Sequence, residues 1–287
     1  AAAGRLSEIF GDKALEHDRL QRRRGMLYAA ENTMAEIKKN DHLYALLDSF
    51  SNGVNFYINS LNKNKYPIEY KLLNYSPEEW TPLKTSLLLK SMAWSLTDRT
   101  KDLEYTKILH DQDEDVIEEL FPIFPQEYLP IVEKNFDFIP YEKQSPDSIY
   151  KSKNYKTITS HNQNSSLGSN NWVISGERTK NKVPILSNDP HLNLNLPSIW
   201  YLMHLKCPTM NVMGVTIPGS PGIIIGFNDN ISWGVTNGYD DSMDWYDIKY
   251  KNEKRKEYWY DNQWIYISPK RDTRIEEIQI KNESTFY

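Results

Sequence analysis

From Arg5 to about Leu120, apolar side chains recur every three or four positions. Leu43, Leu46, Leu47, Phe50, Val54, Ile58 and Leu61 form one such series, and Leu83, Leu87, Leu88, Met92 and Leu96 form another. A repeat near 3.6 lays these residues along one stripe of a helix, so this half of the chain is predicted to be mostly helical. Asp41 before the first series and Thr81-Pro82 before the second supply an acceptor side chain and a preset φ, as helix starts require. Pro67 to Leu73 reads as a short extended piece between helices.

Beyond Pro122 the pattern changes twice. Up to Gly168 the chain is rich in Pro, Lys, Ser and Asn and ends in Thr157-Ile158-Thr159-Ser160-His161-Asn162-Gln163-Asn164-Ser165-Ser166, the composition of an exposed or removable spacer. After Ser169 the apolar runs shorten. Val183–Leu186, Ile199–Leu205, Val212–Ile217, Ile223–Ile225, Ile231–Val235, Trp245–Tyr250, Glu257–Tyr260, Trp264–Ile267 and Arg274–Ile280 are separated by Gly, Pro, Asn and Asp, which predicts antiparallel strands. Helices followed by strands define an α+β chain, without the alternation of a parallel α/β sheet. The expected organisation is a helical region over 1–150, a spacer over 151–168 and a β-rich region over 169–287. No internal repeat points to a solenoid or propeller.

Composition narrows the function classes. The chain has 287 residues, 39% of them hydrophobic, enough for a substantial core. A net charge of -5 gives no overall electrostatic reason to bind nucleic acid or an anionic membrane. Arg19, Arg22, Arg23 and Arg24 do cluster, but beside Glu16 and Asp18 on the same predicted helix, so they read as a paired, solvated or interdomain face. No apolar run reaches the roughly 18 residues of a membrane span. One cysteine, Cys207, excludes an internal disulfide and leaves the redox compartment open.

The densest chemistry lies in Leu167-Gly168-Ser169-Asn170-Asn171-Trp172-Val173-Ile174 and, just after it, Ser187-Asn188-Asp189-Pro190-His191. Gly168 leaves its carbonyl open to attack, and the strand-like run that follows would hold Ser169 at its end. Cleavage between Gly168 and Ser169 would free an α-amine. Such an amine titrates near ~7.7–8.0, so at neutral pH it serves as base for the hydroxyl of its own residue. The alternative is an ordinary turn serine before a strand. A Ser169–His191–Asp189 triad is a second alternative, to be judged by geometry and not by adjacency.

These two segments resemble the penicillin acylase family of N-terminal-nucleophile amidohydrolases, in which a precursor cuts itself before a Ser-Asn-x-Trp segment. Ala3-Gly4-Arg5-Leu6-Ser7-Glu8-Ile9-Phe10-Gly11, Pro218-Gly219-Ser220-Pro221-Gly222, Gly226-Phe227-Asn228-Asp229-Asn230-Ile231-Ser232-Trp233-Gly234 and Asp241-Ser242-Met243-Asp244 look like further family blocks in the family's order. The stretch from about Leu43 to Ser165 is matched only loosely. The resemblance implies an αββα sandwich, autocatalytic processing at Gly168–Ser169, and hydrolysis of a linear amide. It also implies that this is the middle of a longer, periplasmic or secreted precursor whose remaining parts are its partners.

Residue by residue, the resemblance makes Ser169 the nucleophile. It puts His191 where cephalosporin and acyl-homoserine-lactone acylases carry histidine and penicillin G acylases carry glutamine. Asn237 falls where the family uses a main-chain N–H for the oxyanion, and the second donor would lie beyond Tyr287. The family's structural Ca²⁺ would take the carboxylates of Asp241 and Asp244, the Met243 carbonyl and, from the helical side, Asp102, an all-oxygen set suited to a hard cation. Leu192, Ile199 and Ile225 occupy acyl-pocket positions, where aliphatic walls favour a flexible chain over a stacked ring. No organic cofactor is implied.

While the Gly168–Ser169 bond is intact the Ser169 nitrogen is an amide, so the uncut chain is expected to be inactive. Two rivals stay open. One is a secreted binding module using its eight Trp and nineteen Tyr to hold sugars or peptidoglycan. The other is a degenerate family member that keeps the fold for assembly alone.

Overall fold

The computed structural model describes residues 1–97, 101–112, 116, 119–120, 169–192, 194–238 and 244–283. The predicted spacer over 151–168 lies outside these residues. The chain divides into two compact units. The first comprises Ala1–Leu96, Asn164–Gly238 and Arg274–Tyr287, and the second comprises Thr97–Gln163 and Tyr239–Thr273.

The first unit opens with helices α1 (Ser7–Phe10), α2 (Leu15–Arg23), α3 (Met26–Ile37), α4 (Asp41–Ser60), α5 (Ile68–Leu73) and α6 (Pro82–Leu96). On α3 the buried residues are Met26, Ala30 and Met34, four apart, which turns one stripe inward. Ala30 has no exposure at all, and the Ser86 hydroxyl of α6 donates to its carbonyl at 3.4 Å. Small side chains here let the two helix axes approach. The α4 cap is Asn40, not Asp41: its Oδ1 accepts from the Leu43 N–H at 3.0 Å. An Asn cap one residue earlier leaves Asp41 in the first turn, where its charge suits the helix dipole.

Pro67 to Leu73 is helical, against the expectation of an extended piece. Pro67 precedes the first turn and Asn74 closes the helix in the left-handed region at φ 53. Those are start and stop signals of a helix, and they outweigh the short apolar run between them.

The same unit contains six strands. β1 (Ser169–Ile174) pairs antiparallel with β2 (Ile185–Pro190), matching Ser169 to Pro190 and Ile174 to Ile185. A separate antiparallel sheet runs in the order β3 (Tyr201–Cys207), β4 (Met210–Thr216), β5 (Ile225–Asn228) and β6 (Ser232–Trp233). Thr85 ties helices to sheet. Its hydroxyl donates to the Gly219 carbonyl at 2.9 Å and accepts from the Trp80 indole N–H at 3.1 Å. Gly219 sits at φ +101, and a Cβ there would lie 2.8 Å from the Trp80 ring, so both backbone and packing require glycine.

Residues 274–280 form no strand, although their alternation predicted one. They run extended over the helices, and Ile278 and Ile280, 3% and 4% exposed, enter the helical core. Just after these residues, the Lys281 N–H donates to the Ser7 carbonyl at 2.9 Å and anchors the backbone to α1. The alternation therefore records burial against helices.

In the second unit, α7 (Lys101–Asp111) precedes a hairpin of β7 (Glu257–Tyr260) and β8 (Gln263–Tyr266). Its turn residues Asp261 and Asn262 take φ 47 and 58, the double left-handed geometry that matches strand twist. The Trp259 and Trp264 rings meet edge-on at 5.1 Å. Trp245–Tyr250 is not a strand: only Tyr250 bridges, to Tyr258, and Trp245, Tyr246 and Ile248 are exposed. A strand needs a ladder partner, and this segment has one residue's worth.

Candidate active site

Ser169 is the first residue of β1 and is half-buried. Because side chains alternate across a strand, Ser169 and Asn171 share a face with Pro190 and Asn188, and Asn170 and Trp172 share the other with Asp189 and Ser187. The Ser169 carbonyl accepts from the Thr236 hydroxyl at 3.3 Å. Asn237, the next residue along, follows β6 in an extended segment and is half-buried. Ser169 and Asn237 thus belong to one locality built by β1 and the stretch after β6.

That locality is stitched by a residue absent from the sequence-derived set. Asn188 of β2 donates through Nδ2 to the Asn170 carbonyl at 3.1 Å and to the Val235 carbonyl at 2.9 Å, and its Oδ1 accepts from the Val235 N–H at 3.0 Å. A Cβ on Gly234 would lie 2.8 Å from the Asn188 side chain. The signal for these roles was faint: one Asn in a polar run, and a glycine ending a strand.

His191 follows β2 directly. Its Nε2 lies 2.8 Å from Asp189 Oδ2, with the imidazole 41% and the carboxylate 67% exposed. Asp189 belongs to the strand face opposite Ser169, and no described residue hydrogen-bonds the Ser169 hydroxyl. The geometry therefore brings His191 to Asp189 without linking either to Ser169. Gly168 lies outside the described residues.

Among the aliphatic positions, Ile225 begins β5 and is half-buried, whereas Leu192 and Ile199 are exposed. They continue into a strongly apolar and solvent-facing run with Leu194, Leu196, Tyr201 and Leu202.

Of the proposed calcium ligands, Asp241 and Met243 lie outside the described residues. Asp102 is in the first turn of α7 and half-buried, and Asp244 is exposed, its Oδ2 accepting from the Tyr246 hydroxyl at 3.4 Å. Among the described residues no three His, Cys, Asp or Glu side chains gather as a metal site. Both placed ligands offer carboxylate oxygen, the donor type that suits Ca²⁺. No described helix is long and apolar enough to cross a membrane.

Of the four clustered arginines, two form ion pairs and a third stacks on a ring. Arg19 meets Glu16, Arg22 meets Glu276, and Arg24 stacks 4.3 Å above the Trp94 ring.

The described residues thus give an α+β chain in which a serine opens a strand and its carbonyl is held by Thr236, the neighbour of Asn237. The chain belongs to the penicillin amidase family, whose model matches residues 1–287. Over 266 residues it is 27% identical to an acyl-homoserine lactone acylase, QuiP, of Pseudomonas aeruginosa, covering 92% of this chain and 31% of that protein. It is 28% identical over 262 residues to the penicillin acylase 2 proenzyme of a Pseudomonas species, covering 85% of this chain and 32% of that protein. Penicillin G acylase of Escherichia coli is 23% identical over 328 residues, covering 97% and 38%. The chain spans about a third of the length of these relatives.

Proposed function

We propose that this chain is the serine-bearing part of an amidohydrolase of the N-terminal-nucleophile type, with the αββα sandwich of that class and activated by its own cleavage at Gly168–Ser169. The observation that carries the reading is the fastening of the Ser169 carbonyl by Thr236, the neighbour of Asn237. A nucleophile and a main-chain donor on one rigid frame are what acyl transfer requires.

In the processing step the Ser169 hydroxyl adds to the Gly168 carbonyl carbon, and the C–N bond breaks as the acyl group passes from nitrogen to oxygen. Water then hydrolyses the ester, leaving a Gly168 carboxylate and a free Ser169 amine. In turnover that amine takes the hydroxyl proton through a bound water as Oγ attacks the substrate amide. The Asn237 N–H donates to the oxyanion, the proton passes to the leaving amine, and water releases the acid. His191, held by Asp189, contributes a polar wall near the nucleophile in this scheme.

The substrate class we favour is an N-acyl amine with a flexible aliphatic acyl chain. Leu192, Ile199 and Ile225 supply aliphatic surface, and relatives at 27–28% identity are named acyl-homoserine lactone acylases. Asp102, Asp241, Met243 and Asp244 would hold a structural Ca²⁺ that takes no part in the chemistry. The organisation into a helical region 1–150, a removable spacer 151–168 and a β-rich region from 169, with the rest of the precursor as partner and a periplasmic or secreted location, belongs to the same proposal.

The test is Ser169→Ala in the full-length protein. Mass spectrometry is expected to find the parent cut before Ser169 and the variant uncut, and amine release from N-decanoyl homoserine lactone and penicillin G is expected to vanish in the variant. A parent that hydrolyses amides with its Gly168–Ser169 bond unbroken overturns the reading.

A further inference from the structure

The β1–β2 pair and the β3–β6 sheet share no strand ladder. Among the described residues two side chains bridge the gap, Thr236 with one bond and Asn188, whose carboxamide substitutes for a peptide unit, with three. It donates to Asn170 O and Val235 O and accepts from Val235 N, all within 2.9–3.1 Å. Its partners are the residue after Ser169 and the residue two before Asn237. Gly234 gives it room, since a Cβ there would lie 2.8 Å from Asn188 Cβ, Cγ and Oδ1.

We propose that Asn188 is a positioning residue for the acyl transfer, setting the separation between the Ser169 hydroxyl and the Asn237 N–H without touching substrate. This rests on the reading of Ser169 given above. An oxyanion donor works only within about 2.7–3.1 Å of the developing charge, so the two halves of the site need a rigid tie. Thr236 alone gives a single bond at 3.3 Å to the Ser169 carbonyl. Asn188 adds three, and its amide is the one side-chain group of that length that donates to two carbonyls while accepting from an N–H. Aspartate has the same shape but no donor, and it would set a carboxylate oxygen against the Asn170 and Val235 carbonyls.

The experiment compares Asn188→Ala, Asn188→Asp and Gly234→Ala in the full-length protein. N-decanoyl homoserine lactone is the substrate, with released amine as the readout. Active sites are counted by sulfonylation with phenylmethylsulfonyl fluoride, so that kcat is expressed per competent serine. Misplacing reacting groups by about 1 Å costs on the order of 10²-fold in rate, and kcat per site is expected to fall by about that factor with KM little changed. Asn188→Asp keeps the side-chain volume and the Val235 N–H bond, and it is expected to lose as much as Asn188→Ala.

Fewer sites at undiminished kcat per site would mean a folding role only and would overturn the proposal. So would a failure of all three variants to give any titratable site. Ser169→Ala separates the two levels. Retained amide hydrolysis in that variant sinks the functional reading itself, whereas its loss beside unaltered Asn188 variants sinks only the positioning role.

Discussion

Arg22 donates to Glu276 at 2.6 Å across 254 positions of the sequence, and Arg274 Nε approaches the other Glu276 oxygen at 2.5 Å. The first pair is well shielded, its side chains 12% and 21% exposed. Glu276 therefore neutralises two guanidinium groups, one on α2 and one on the extended segment that lies over the helices. Arg22→Ala leaves Glu276 still paired with Arg274. Glu276→Ala instead removes both bonds at once and leaves the shielded Arg22 without this carboxylate, while Arg274 keeps Glu31 at 2.7 Å. The glutamate variant is expected to lose more stability, about 1–3 kcal/mol, between the values for exposed and buried pairs. Urea unfolding of both variants checks the order. Because Arg22 and Glu276 lie on opposite sides of Gly168–Ser169, the same pair is expected to help keep the two pieces together after a cut.

Glu78 makes a second, more exposed node. It accepts from Arg5 at 2.7 and 3.1 Å and from Lys84 at 3.0 Å, and these hydrogen bonds, Arg5's first, lower its pKa from 4.5 to about 2. A carboxyl held lower in the folded than in the unfolded chain binds fewer protons when folded. Its stabilisation is complete above pH 4.5 and is lost as pH falls through about 2. Glu78→Gln is expected to flatten the stability profile in that window and to leave its slope above pH 5 unchanged. The carboxylate is half exposed, so about 1 M salt should shrink the difference between parent and variant. Thermal unfolding at a series of pH values measures both effects.

Legibility in the sequence followed the range of the interactions involved. The helices α4 and α6 declared themselves because their apolar residues recur every three to four positions, a local property, even though the residues α6 buries most fully are the consecutive Thr85, Ser86 and Leu87. The β7–β8 hairpin did so because its turn and strand pattern are contiguous. Trp245–Tyr250 and Arg274–Ile280 misled because a strand-like run says nothing about whether a ladder partner exists; the second buries Ile278 and Ile280, whereas the first leaves Trp245, Tyr246 and Ile248 exposed. The place of Ser169 at the head of a strand was legible through its neighbours in sequence. Asn188 was not, since its role depends on Val235, 47 positions away, and on the missing Cβ of Gly234. His191 was picked out as a polar residue near the serine, and among the described residues it bonds instead to Asp189, two positions earlier in sequence.

The proposed calcium site makes a prediction independent of catalysis. Asp102 and Asp244 belong to the second unit, so a bound cation there would stabilise that unit's folded form alone. A ligand present at about 100 times its Kd adds about 2.7 kcal/mol. Adding Ca²⁺ to chelator-treated full-length protein is expected to raise the thermal midpoint, and Asp102→Ala or Asp244→Ala to remove most of that rise. Mg²⁺ should substitute poorly, because it demands a tighter octahedron than an acidic turn plus one helical carboxylate offers. An unchanged midpoint with and without Ca²⁺ would rule the site out.

Asp18 is wholly buried on α2, yet its carboxylate is occupied: Oδ1 accepts from the Leu6 N–H at 2.9 Å and Oδ2 from the Ser7 N–H at 2.6 Å. These are the N-terminal N–H groups of the α1 turn, which have no partners within the helix. Gly4, at φ +65, lets the chain reach this position, since a Cβ there would lie 2.8 Å from the Asp18 carbonyl. Ser7 passes the constraint onward by accepting at its own carbonyl from the Lys281 N–H. Asp18→Asn replaces one acceptor oxygen by an N–H₂ that faces a backbone N–H, so one buried bond is lost and two donors are opposed. A cost of about 1–3 kcal/mol is expected, the penalty for leaving a buried polar group unpaired. Asp18→Glu should not restore it, because a longer side chain cannot reach both N–H groups from the same place on α2. The loss is also expected to be local before it is global. Hydrogen exchange should quicken at Leu6 and Ser7 first and at Lys281 next, while the α3 amides around Ala30 stay protected. Exchange that accelerates uniformly across α1 to α6 would instead mean that Asp18 holds the whole helical region together.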